Sequence, residues 1–91
     1  MGVINHVSLE ANANVQSANT AVNIRHIVYL TNDSANDIVF NFDAETNVAG
    51  AFTLKSGETL EEFSGHVGYL YYSASNGASA FRLLGLASVA R

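Results

Sequence analysis

The side chains in this sequence that could do chemistry are three histidines, eight acids and a scatter of serines. His6, His26 and His66 stand far apart and form no H-x-x-x-H pair, the spacing that sets two imidazoles on one helix face for zinc. Asp33, Ala35 and Asp37 occupy the spacing of the first ligands of a calcium-binding EF-hand loop. Ala35 cannot ligate, Ile38 stands where a glycine is needed and Ala44 stands where the bidentate glutamate belongs. These acids read instead as caps on turn amides. Glu61 and Glu62 are adjacent, so a strand would point them to opposite faces and bar them from acting as a carboxylate pair. Ser64-Gly65-His66 has no evident partner acid. The residues predict no enzyme, no metal and no cofactor.

Composition points the same way. Charged residues make up 13% of the chain, against about 25% in typical soluble domains. The polar remainder is mostly Asn, Ser and Thr, a surface suited to packing against other protein. The net charge is −4 and the basic residues Arg25, Lys55, Arg82 and Arg91 are scattered. Nucleic-acid binding, which needs a basic patch, is not expected. No apolar run nears the roughly 18 residues of a membrane-spanning helix, and the first 15 residues have neither the basic nor the apolar region of a secretory signal, so no membrane role is expected. There is no cysteine, which removes disulfides and thiolate metal sites as sources of stability. At 91 residues the chain makes one small domain, whose margin must come from a β core or from association.

The elements that would position these residues read as strands. Residues 25–31 are β-branched and aromatic. Residues 38–43 alternate, with Ile38, Phe40 and Phe42 on one face. A turn at 32–37 predicts a hairpin that sets Tyr29 opposite Phe40 and Ile27 opposite Phe42. At residues 52–63, Gly57 either turns a hairpin that pairs Phe52 with Leu60 or carries the chain from one sheet to another. Residues 64–68 read as a loop. Asn76-Gly77 between two apolar runs predicts a type I′ hairpin that pairs Tyr72 with Phe81 and Tyr71 with Arg82, the latter a cation–π contact. Tyr72 would then face inward, and Tyr69 and Tyr71 outward. Residues 1–23 are rich in Ala, Asn and Ser, with little bulk after Leu9. They read as an extended arm, or else as a first strand docked on the chain's own domain.

The predicted fold is all-β: a small antiparallel β-sandwich, jelly-roll- or immunoglobulin-like, or a barrel. It spans residues 24–91, with an extended N-terminal arm at 1–23.

One stretch of motifs carries a resemblance over about residues 24–86. It comprises Asn32, Ser34, Ile38 and Phe42 in the order N-x-S-x-x-x-I-x-x-x-F. Phe52-Thr-Leu-Lys-Ser-Gly-Glu-Thr-Leu follows, then Val67-Gly-Tyr-Leu-Tyr-Tyr-Ser-Ala-Ser and Ala80-Phe-Arg-Leu-Leu-Gly. In this order of strands and turns the chain resembles small β-sandwich virion proteins of tailed bacteriophages, with Ser56 where those usually have proline. The resemblance implies a non-enzymatic structural role as a head decoration or cement protein on the capsid surface of the virion. The implied partners are the major capsid protein and sister copies, and the lattice would be stabilised by many small contacts. The expected contact residues are Val3, Ile4, Val7 and Leu9 of the arm. The alternative is a tail or head-fibre module that binds host-surface glycan, or another virion protein, through Tyr69, Tyr71 and Arg82.

Overall fold

Alternation of apolar and polar residues persists through nearly the whole chain, and the structure, a computed structural model that describes residues 6–87, turns it into strands. β1 spans His6–Ala13, β2 Ala18–Asn32, β3 Ile38–Phe42, β4 Phe52–Leu54, β5 Thr59–Ala74 and β6 Ser79–Ala87. All pair antiparallel in one sheet of order β1-β6-β2-β5-β3-β4. The protein is all-β, and no helix occurs among the described residues.

The sheet folds over on itself along its two longest strands. β2 and β5 pair over most of their length, with register shifts on either side of Ile24. Asn23 (φ 47°) and Gly65 (φ 154°) lie beside those shifts, the backbone signature of a bulge that bends a ribbon. Beyond the bend the first half of β2 and the second half of β5 continue into β3 and β4. Before it, the second half of β2 pairs with β6, and β6 with β1. Two layers result, and their inner faces meet at aromatic contacts. Phe81 of β6 packs edge-on against Phe40 of β3 at 5.2 Å between ring centroids, and against Tyr72 of β5 at 4.8 Å. Ile24, Ile27, Leu30, Ile38, Leu70 and Leu83 complete a buried core. This is a small sandwich.

The N-terminal segment differs from the expected free arm. From His6 onward it lies in the sheet, and β2 already begins at Ala18. Val7, Leu9, Ala11 and Ala13 alternate inward, with Ala13 fully buried. The physical reason is size matching: Ala11 sits opposite Phe81 and Ala13 opposite Ser79. Phe81 supplies the bulk there, so small residues beside it complete the face.

Both expected hairpins are absent. β3 is separated from β2 by β5, and β6 from β5 by β2. Both edges of β2 at 26–31 are already occupied, by β5 on one side and β6 on the other, so the chain after Asn32 must cross to the other layer. The Asn76-Gly77 turn makes the reverse crossing. Gly77 has positive φ (90°), but Asn76 is not among the residues of positive φ, and a type I′ turn needs both. Tyr72 and Phe81 therefore meet across the core rather than side by side. The Gly57 turn (φ 77°) is likewise a connection between layers: Phe52 pairs with Phe40, and Leu60 with Leu30. The loop expected at 64–68 is strand, because the bulge lets β5 run through it.

Candidate partner-binding surfaces

Buried amides fix the loops that frame the outer surfaces. Asn32 is fully buried. Its Nδ2 donates to the carbonyls of Asn36 (2.7 Å) and Leu54 (2.9 Å), and its Oδ1 accepts from Ser34 N (2.8 Å) and Ser34 Oγ (2.7 Å). One side chain thus holds the crossing loop and pins the end of β4. Asn41 does the same for the next loop, donating to Glu45 O at 2.8 Å while its Oδ1 accepts from Phe42 N at 2.8 Å.

The acids serve separate structural tasks rather than one ion. Asp43 (φ 58°) accepts from the backbone amides of Gly68 (3.1 Å) and Tyr69 (2.8 Å), a cap on the bend in β5. Asp33 forms a two-point pair with Arg82, Nε to Oδ2 at 2.6 Å and Nη2 to Oδ1 at 3.2 Å. Hydrogen bonding to Asp33 and its charge raise the guanidinium pKa above its ordinary value. Among the described residues no three His, Asp or Glu side chains gather in a way that could hold a metal.

One polar cluster escapes sequence reasoning. His26 Nδ1 lies 3.0 Å from Ser64 Oγ, and His26 Nε2 lies 3.3 Å from Glu62 Oε1. Ser64 does have a partner histidine and acid, but the histidine is His26 rather than His66. Such a chain can activate a hydroxyl when a substrate cleft and oxyanion donors accompany it. Here it bridges β2 and β5 where Glu62 adopts positive φ (54°), and the Glu62 side chain is 70% exposed. The cluster staples the bent ribbon. Its only sequence signal is cross-strand register, which becomes visible once β2 is paired with β5.

The expected contact residues separate. Val3 and Ile4 lie outside the described residues. Val7 and Leu9 point inward from β1 and pack on the core. Tyr69 is 49% exposed on β5, opposite Ala21. Tyr71 is half-buried and pairs with Asn19 and Asn41. Arg82 sits in the other layer, opposite Glu10 and Thr31, with its guanidinium 5.9 Å over the Tyr29 ring. The cation–π contact exists, but with Tyr29 instead of Tyr71. The structure does not assemble Tyr69, Tyr71 and Arg82 into one patch.

Two other surfaces stand out. The first is an open cleft of about 250 Å³ lined by Phe42, Gly50, Phe52, Leu60 and Phe63. Phe42 contacts Phe52 at 5.3 Å and Phe63 at 5.0 Å between centroids. The cleft lies between β4, the last strand of the sheet, and the first half of β5, which pairs with β2 on its other side. The second surface is the outer edge of β1 at the opposite end of the strand order, which no strand among the described residues covers.

No family model and no curated protein matches this chain. Among solved structures, a chain from Bacillus endospore appendages, described as a novel family of disulfide-linked pili, aligns over 94% of this chain and 88% of its own length. The identity is 15% and the TM-score 0.42, too distant to assign a function.

Proposed function

We propose that this protein is a non-enzymatic structural subunit that acts by binding other protein, and specifically a decoration or cement protein that seats on the assembled major capsid protein lattice of a tailed phage. The observation that carries this reading is the aromatic cleft between β4 and β5. Phe42, Phe52, Leu60 and Phe63 pack only partly into the core and leave an apolar floor open to the surface. A monomer gains little by keeping such a floor uncovered. An extended apolar segment of a neighbouring protein would cover it and could add a strand beside β5. Phe42, Gly50, Phe52, Leu60 and Phe63 line the cleft without a charged side chain, so the fitting segment is apolar where it meets the floor. The capsid protein as the source of that segment rests on the sequence resemblance to virion proteins.

The test is co-sedimentation with capsids built from the major capsid protein alone. Wild type binds, Phe63→Leu binds, and Phe63→Asp, which places a carboxylate in the cleft, loses binding while keeping a cooperative thermal melt. Full occupancy by a folded Phe63→Asp variant would overturn the role of the cleft. The glycan-binding alternative needs Tyr69, Tyr71 and Arg82 together and draws no support from their placement.

A further inference from the structure

Resting on that reading of the chain as an assembly subunit, we infer that the free edge of β1 pairs antiparallel with β1 of a second copy, about a two-fold axis at Ser8. β1 has few of the devices that protect an edge strand. It contains no proline and no lysine, carries a single acid, Glu10, and pairs with β6 without a bulge from His6 to Ala13. An edge of this length without such devices is a template for another strand.

The strand's own sequence selects the partner. His6, Ser8, Glu10 and Asn12 face outward and Val7, Leu9 and Ala11 inward. In an antiparallel self-pairing centred on Ser8, His6 of each copy stands opposite Glu10 of the other. Val7 stands opposite Leu9 on the inner face. Both apolar pairs and both polar pairs match face for face, which a one-residue slip would destroy. The register centred on Leu9 is poorer. It sets Glu10 opposite serine and brings the two Glu10 side chains into diagonal proximity. The Ser8 register also covers Val7 and Leu9, which the edge position leaves half-exposed, and it joins two sheets into one. The interface is isologous and closed, giving a dimer and not a fibre.

A cysteine-free chain permits a direct test. A lone Ser8→Cys substitution places two thiols opposite each other on the axis, where paired strands hold Cα atoms about 4.5–5.5 Å apart, within disulfide range. The expected result is rapid air oxidation of Ser8→Cys to a covalent dimer, with Asn12→Cys remaining largely monomeric. Sedimentation velocity on the wild type shows a concentration-dependent dimer. Glu10→Lys weakens it by about tenfold, since each copy loses the carboxylate that faces the partner's imidazole, and the swap His6→Glu with Glu10→Lys restores it. A monomeric wild type at all accessible concentrations would overturn the inference, as would equal cross-linking at positions 8 and 12. Neither result bears on capsid binding, which is measured separately; equally, a dimer that fails to bind capsids leaves this inference standing and removes the proposed function.

Discussion

Asn32 shows how much of this fold depends on single buried polar groups. Its amide makes four hydrogen bonds to a loop and a strand end, at a position with no solvent access. Asn32→Ala strands the Leu54 and Asn36 carbonyls and should cost about 1–3 kcal/mol, a drop of roughly 4–24 °C in Tm by calorimetry for a domain of this size. An unchanged Tm would show that water replaces the amide. Gly85 is a second sensitive position, for steric reasons. A Cβ there would lie 2.9 Å from the His26 carbonyl oxygen, a backbone atom that cannot swing aside. Gly85→Ala should therefore destabilise more than Gly77→Ala, which meets nothing within 4 Å but carries positive φ (90°); chemical denaturation of the two variants ranks them. The sequence showed both as ordinary turn or strand residues. Asn32 was visible as part of an N-x-S motif, but its bond to Leu54 of β4 joins two separate elements, and only the fold brings them together.

At the scale of elements, strand identity was legible and strand pairing was not. Period-two alternation located β3, β4, the second half of β2 and much of β5 and β6. Adjacent runs with turn residues between them then suggested hairpins. In the protein both edges of β2 are filled by β5 and β6, so the turns at 32–37 and 76–77 cross between layers instead. Occupancy of an edge is a property of the whole sheet, and no local spacing reports it. β1 was obscured for a related reason: its inner face ends in Ala11 and Ala13, whose burial depends on Phe81 across the ladder. The consequence is testable. Removing residues 1–13 deletes an integral strand and exposes the β6 side of the core. Loss of the burial of Val7, Leu9 and Ala13 should cost on the order of 3–5 kcal/mol, enough to consume much of the margin of a small domain. A urea melt of the truncated chain with wild-type midpoint would contradict this and restore the arm reading.

For the whole molecule, the two end strands of the sheet offer chemically unlike surfaces. The β1 edge carries a self-complementary pattern of His6, Ser8 and Glu10. The cleft beside β4 and β5 is lined by Phe42, Gly50, Phe52, Leu60 and Phe63, so it suits a different, apolar segment. One surface would join copies and the other would attach them, the two contacts that the proposed decoration role asks for. The candidate site was only partly legible. Phe42, Phe52, Leu60 and Phe63 were readable as apolar positions of strands, and the natural inference from such positions is a core. They form a cleft because β3 and β4 belong to one layer and the first half of β5 to the other, leaving the side of the sandwich uncovered there. Capsid attachment through an apolar floor should also resist salt better than attachment through charges, which are screened within about 10 Å at 0.1 M ionic strength. Sedimentation of the complex in rising NaCl would show this, and complete release at moderate salt would point to charged contacts away from the cleft instead.

The most direct test of the central claim is wild-type occupancy on capsids assembled from the major capsid protein alone, counted by cryo-electron microscopy. A capsid-binding subunit gives regular density at lattice positions, with the face bearing Phe42, Phe52 and Phe63 turned toward the shell. Bare capsids at saturating protein, or density docked with that face in solvent, would contradict it.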